Sequence, residues 1–144
     1  MEERVFKPLE MDHAICRPMD VLRYRSAIGH FPQPDDPTSW QLADSLYPTL
    51  GQAPAGTTVS MTAADLVTFA RAHLNKGIAD SAQGWLSENS VTLMQQPQIR
   101  LPSTSQVSTS YAGIGWGLNK VNSSDQIFFG HLGGTFGQLS ILRI

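Results

Sequence analysis

The last seventeen residues limit the folding options most. Phe128-Phe-Gly-His-Leu-Gly-Gly-Thr-Phe-Gly137 carries an apolar run that ends at His131, just before a glycine pair, and a second apolar run follows from Gln138 to Ile144. Two apolar runs of strand length broken by glycines predict a β-hairpin, with Gly133–Gly134 at its turn. The second run has apolar residues at both parities, Leu139 and Ile141 on one and Leu142 and Ile144 on the other, as expected of a strand covered on both faces. Glycine permits close backbone approach, and an imidazole at such a break can carry charge or a proton.

The segments before it supply more strands and two helices. Tyr111–Val121 alternates Ile114, Trp116 and Leu118 with Gly115 and Gly117, as a half-buried strand should. Asn122–Asp125 is turn chemistry leading into a strand at Gln126–His131. Its Asn-Ser-Ser also spells a glycosylation sequon, which has meaning only in a secreted eukaryotic chain. Thr62–Lys76 predicts a helix with a Thr62/Asp65 capping box, an apolar face of Leu66, Phe69, Ala70 and Leu74, and Gly77 just past its end. His73 sits beside that stripe, where a cation suits the helix dipole. Ser87–Gln96 predicts a second helix, capped by Ser87 and stopped by Pro97.

The first half is less regular. Val5, Phe6 and Leu9 share a helical face that Pro8 ends, in the manner of a helix remnant, and Asp12–Pro18 reads as a turn-like connection. Met19–Ser26 fits a short strand. Five of the nine prolines lie between Ile28 and Thr57, which leaves room for little more than a helical turn at Trp40–Leu46; Trp40 and Tyr47 favour an ordered loop. Asp35 and Asp36 read as solvated neighbours, and Pro102–Ser110 as a polar loop.

Composition narrows the function. With 144 residues the chain is one domain's worth, and 41% hydrophobic content suits a globular protein. A charged fraction of 15%, low against the usual ~25%, suggests well-covered elements or an interface. Net charge −2 without a basic cluster argues against nucleic acid. There is no apolar run long enough for a membrane span, and Met-Glu-Glu-Arg is unlike a signal peptide. The single Cys16 cannot form an internal disulfide and reads as a packed thiol. The compartment stays open.

Four stretches, in order, resemble the serine β-lactamase and penicillin-binding-protein-like hydrolases, the superfamily of class C β-lactamases, DD-peptidases and related esterases. Phe6-Lys-Pro-Leu-Glu-Met11 is similar to the "PLGM" segment of these enzymes. Ala53-Pro-Ala-Gly-Thr-Thr-Val-Ser-Met-Thr-Ala-Ala-Asp-Leu66 is similar to "PAGGLVSTAADL". Tyr111–Leu118 resembles "YGLGWGL", and Phe129–Gly137 the third catalytic motif in its "GHxGG" form.

The resemblance implies an α+β fold, an antiparallel sheet with helices packed on it. It also implies acyl transfer through a serine ester, with no metal and no organic cofactor. His131 would stand for the third-motif lysine and tune proton transfer. Gly134 would supply a backbone N–H to the oxyanion hole. Gly133 and Leu132 would lie on the substrate side, Leu132 replacing a Thr or Ser whose hydroxyl could bond a substrate carboxylate. That change leans from β-lactams toward ester or peptide-like substrates.

No S-x-x-K or Y-x-N occurs in the 144 residues, and Ser87-Glu-Asn89, which spells S-x-N, falls after the PLGM-like stretch and reads as a helix cap. Residues 1–144 are therefore expected to form part of such a domain. The nucleophile would lie upstream of Met1, and a closing strand and helix beyond Ile144. Two rivals remain at this point: an inactive binding module that keeps the fold, and a chain that complements a separate nucleophile-bearing polypeptide. An apolar strand left at an open edge predicts self-association.

Overall fold

A five-stranded sheet in the order β3-β4-β5-β6-β7 occupies the second half of the chain, and a separate two-stranded hairpin, β1-β2, occupies the first. The strands are β1 (His30–Gln33), β2 (Asp36–Leu42), β3 (Ile99–Arg100), β4 (Tyr111–Ala112), β5 (Gly117–Lys120), β6 (Ile127–Thr135) and β7 (Gln138–Arg143). Among the described residues, helices α1 (Pro18–Val21), α2 (Ala63–Leu74) and α3 (Glu88–Gln95) and a π-helical turn at Glu2–Phe6 make the fold α+β, as expected. The computed structural model describes residues 1–44, 58–102, 111–120 and 126–144. The expected polar loop Pro102–Ser110 after its first residue, the turn and sequon at Asn122–Asp125, Tyr47, and the Ala53–Thr57 start of the Ala53–Leu66 stretch lie outside the described residues. The chain divides into two compact units, Met1–Asp65 with Leu132–Ser140, and Leu66–His131 with Ile141–Ile144.

In the first unit the π-helical turn buries Phe6, and Leu9, Met11 and Val21 are buried after it. Met19–Ser26 is not a strand. Pro18 occupies the first turn of α1, where its fixed φ and missing N–H suit a helix start, and Asp20 adds an acid near that end. The described part of the proline-rich stretch is also more regular than expected, because Pro32, Pro34 and Pro37 sit in a two-stranded ribbon. Pro32 pairs with Trp40, and the register shifts at Pro32/Gln33, so no central ladder is broken. Trp40–Leu42 is accordingly strand, not a helical turn. Asp36 is a turn anchor and not a merely solvated acid. Its carboxylate accepts hydrogen bonds from the Ser39 hydroxyl at 2.6 Å, the Thr38 hydroxyl at 2.6 Å and the Thr38 N–H at 3.0 Å. The Ser39 and Thr38 bonds hold its pKa down at about 2.

The capping box forms as the sequence predicts. Asp65 N–H donates to the Thr62 hydroxyl at 3.1 Å, and Thr62 N–H donates to the Asp65 carboxylate at 3.0 Å. The other carboxylate oxygen accepts from His13 N–H at 3.3 Å. Burial pushes the Asp65 carboxyl up, but the bonds from Thr62 and His13 outweigh it and the net shift is downward. In the second unit, α2 ends where Gly77 N–H donates to Ala72 carbonyl at 2.8 Å. Ser87 caps α3 by accepting from Ser90 N–H at 3.1 Å, which confirms Ser87-Glu-Asn89 as a cap.

The core of this unit is Trp116, Leu118 and Phe129, with Phe69, Met94, Tyr111, Leu142 and Ile144 packed against it. Each fully buried side chain of this size contributes roughly 1.5–3 kcal/mol. Tyr111–Val121 is not one strand. The chain reverses between β4 and β5, with Tyr111 opposite Leu118 and Ala112 opposite Gly117, and Gly113 N–H donates to Trp116 carbonyl at 2.8 Å. Gly115 takes a φ of +77°, which a side chain would resist. Alternating glycines fit a pleated strand and a tight reversal equally well.

Candidate active site

The glycine pair does not form the hairpin turn. Strand β6 runs on through His131, Leu132, Gly133 and Gly134 to Thr135, and the reversal is the two-residue loop Phe136–Gly137, with Gly137 at φ +65°. This turn fits its neighbours closely. His30 N–H donates to Gly137 carbonyl at 2.9 Å, and Gln138 Nε2 donates to Ala27 carbonyl at 2.9 Å. Strand β7 is also less covered than its pattern suggests: Leu139 is 91% and Ile141 61% exposed, while Leu142 and Ile144 are half-buried.

The register of β6 fixes what each motif residue offers. Phe129 and Ile144 exchange both backbone hydrogen bonds, at 3.0 and 2.8 Å. A Cβ on Gly133 would meet the Ser140 hydroxyl, and one on Gly134 the Leu139 side chain, so the pairing continues without a bulge as far as Gly134. In an antiparallel ladder alternate residues bond to alternate neighbours. Residues of Phe129's parity, including His131 and Gly133, bond toward β7. Leu132 and Gly134 aim their N–H and C=O groups the other way, away from β7. On the other side of β6, the pairing with β5 runs from Lys120–Ile127 to Gly117–Gly130.

Side chains alternate too, so His131 and Gly133 belong to one face of β6, and Leu132 and Gly134 to the other. His131 and Leu132 are exposed, Leu132 by 67%. Phe129, two residues before His131 on the same face, is buried against Trp116 at a ring separation of 5.3 Å and anchors the strand.

His73 lies elsewhere and is not the dipole-stabilised cation expected of it. It is buried within the α2 stripe, whereas Leu74, assigned to that stripe from the sequence, is exposed. The 66/69/70/73 spacing already allowed this arrangement. Cys16 is half-buried, and burial pushes its thiol up, away from the thiolate. It borders a cavity of about 280 Å³ that also touches Phe6, Asp12, Arg17 and Tyr24 but none of the β6 motif residues. Among the described residues no group of His, Cys, Asp and Glu is arranged to hold a metal ion, and no helix is long and apolar enough to cross a membrane.

The sequence model of the family described as Beta-lactamase matches residues 1–143. The chain belongs to the beta-lactamase family. This beta-lactamase-family chain is 34% identical over 145 residues to penicillin-binding protein 4 of Amycolatopsis lactamdurans, covering 100% of its own length and 37% of that protein's. Its fold is similar to the octameric penicillin-binding protein homologue from Pyrococcus abyssi, with a TM-score of 0.70 at 16% identity over 92% of this chain and 27% of that one. The chain spans 37% of the length of the curated relative it matches.

Proposed function

We propose that residues 1–144 carry the third-motif part of a serine hydrolase that cleaves an ester or amide bond through an acyl-serine intermediate. The nucleophile belongs to sequence outside these residues, since no S-x-x-K occurs within them. In this reading the serine oxygen adds to the substrate carbonyl carbon, and its proton passes to a neighbouring base. The tetrahedral oxyanion then collapses, and the alcohol or amine leaves with a proton. Water repeats the addition on the acyl-serine and releases the acid. His131 holds and tunes the proton near the leaving group, and the Gly134 N–H is one donor to the oxyanion. Gly133 lets substrate approach the strand, and Leu132 presents an apolar side chain where a hydroxyl would favour a carboxylate-bearing β-lactam. An uncharged ester or peptide-like substrate fits that exchange better.

The observation that supports the reading is the ladder register: Gly134 has the parity whose backbone groups turn away from β7, as a donor to an oxyanion requires. The test is made in a protein that joins these residues to an S-x-x-K segment. His131→Ala should lower kcat by roughly 10²-fold or more on an activated ester, the size expected for a positioned acid–base group. The 144 residues alone should give no more product than their own His131→Ala control. An unchanged kcat would reduce His131 to a structural residue, and a product burst from the chain alone would reveal a different nucleophile.

A further inference from the structure

His73 is 2% exposed, and among the described residues neither ring nitrogen has a hydrogen-bond partner. Aromatic rings enclose it, with centroids at 4.8 Å for Phe69, 5.1 Å for Trp116 and 5.5 Å for Trp85. The indole N–H of Trp116 is buried and has no partner among the described residues either. Among the described residues, the elements around the ring bring it no charge. Helix α2 offers Phe69, the segment after it offers Trp85, and the β4–β5 turn offers Trp116. From α3, Gln95 reaches only the His73 backbone carbonyl, at 3.4 Å. The nearby cations Arg71 and Lys76 are exposed and paired, with Asp80 at 3.1 Å and Glu88 at 2.7 Å.

A neutral imidazole tolerates such a site, since an N–H facing an aromatic ring makes a weak bond. An imidazolium adds a second N–H and a full charge with no acceptor. The attraction of aromatic faces for a cation is smaller than the cost of stripping its water without an ionic partner.

We propose that His73 is an acid-sensitive lock on β6: neutral, it seats Trp116 against Phe129, and protonation expels the ring and loosens the β4–β5 turn from β6. The mechanical path is short. Trp116 adjoins Gly117, Gly117 pairs with Gly130, and Gly130 precedes His131. The bearing of the lock on catalysis rests on the role proposed above for His131, whereas the lock itself does not.

Burial lowers the His73 pKa below 6.5. The folded chain then binds fewer protons than the unfolded one, so stability is full above the unfolded value and is lost as pH falls from there toward the folded value. One proton taken up on unfolding raises the unfolding equilibrium constant roughly tenfold per pH unit in that window.

The test is urea unfolding of the chain at one fixed concentration, followed by tryptophan emission between pH 8 and 5. His73→Leu and His73→Gln are compared with the parent chain, and the His73 ring C–H is titrated by NMR. Expected are a steep loss of midpoint below about pH 6.5 in the parent, a flat midpoint in both variants, and a ring that stays neutral until the β4–β5 turn opens. Equal pH dependence in all three chains would overturn the lock. So would a folded His73 that titrates at or above the ordinary histidine value. If neither variant folds, the ring titration of the parent decides.

Discussion

Three glycines in β6 have the same side chain and different obligations. A Cβ on Gly130 would lie 2.1 Å from the Leu142 carbonyl oxygen, so the backbone of β7 would have to move. On Gly133 it would meet the Ser140 hydroxyl at 2.4 Å, an atom that can rotate away; on Gly134 the nearest atom is Leu139 Cδ2 at 3.5 Å, an ordinary contact. Gly130→Ala should therefore cost about 1–3 kcal/mol of stability. Gly134→Ala should stay within about 0.5 kcal/mol. Urea midpoints check the pair, and a Gly134→Ala as damaging as Gly130→Ala would mean that packing, not access to the backbone, explains the glycine. The residue types of the motif were legible in the sequence. The direction of the Gly134 N–H was not, because it follows from a reciprocal pair at Phe129 and Ile144, fifteen positions apart, that no local pattern encodes.

At the scale of elements, the legible parts are those whose chemistry closes within a few residues. The Thr62/Asp65 box needs only a spacing of three, and both its bonds form. Asp65→Ala should cost about 1–2 kcal/mol, read from the thermal or urea transition, because it strips a cap and strands the His13 and Thr62 donors. The β1–β2 ribbon was not legible because proline content signals irregularity, while what permits proline here is a ribbon that pairs with no third strand among the described residues. Its turn carries its own titration. The Asp36 pKa is depressed from 3.8 to about 2, so the turn's stabilisation is complete above the ordinary value and is lost as pH falls through the depressed one. The Thr38 amide shift, followed by NMR, should inflect at about 2. An inflection at the unperturbed carboxylate value would mean that the Ser39 and Thr38 bonds do not persist in solution. Likewise, Tyr111–Val121 misled because period-two alternation with glycine is shared by a strand and a hairpin, and only pairing partners separate them.

Among the described residues β7 is an edge of the five-stranded sheet, and it carries Leu139 and Ile141 largely exposed. An apolar edge strand is a template for another chain. Light scattering after size exclusion should therefore show apparent mass rising with concentration, and Leu139→Lys should suppress that rise, since a charge on an edge opposes pairing. A chain that stays monomeric at every concentration would show that the exposed face is tolerated as it stands. The α+β class was legible from the segment patterns together with the family resemblance. The division into two units was not, because β6 and β7 each contribute residues to both.

The seating of Gly137 matters for anyone who wishes to tag, split or graft onto this protein. Tips of two-residue hairpins are usually the safest places for a foreign peptide, and the first to be nicked by proteases. Here a Cβ on Gly137 would fall 2.3 Å from the His30 nitrogen, and one on Gly29 would fall 1.8 Å from the Phe136 carbonyl oxygen. Gly137 has no room for even one methyl group. A reporter inserted between Phe136 and Gly137 should abolish expression of folded protein, and limited proteolysis should leave that bond intact while cutting elsewhere.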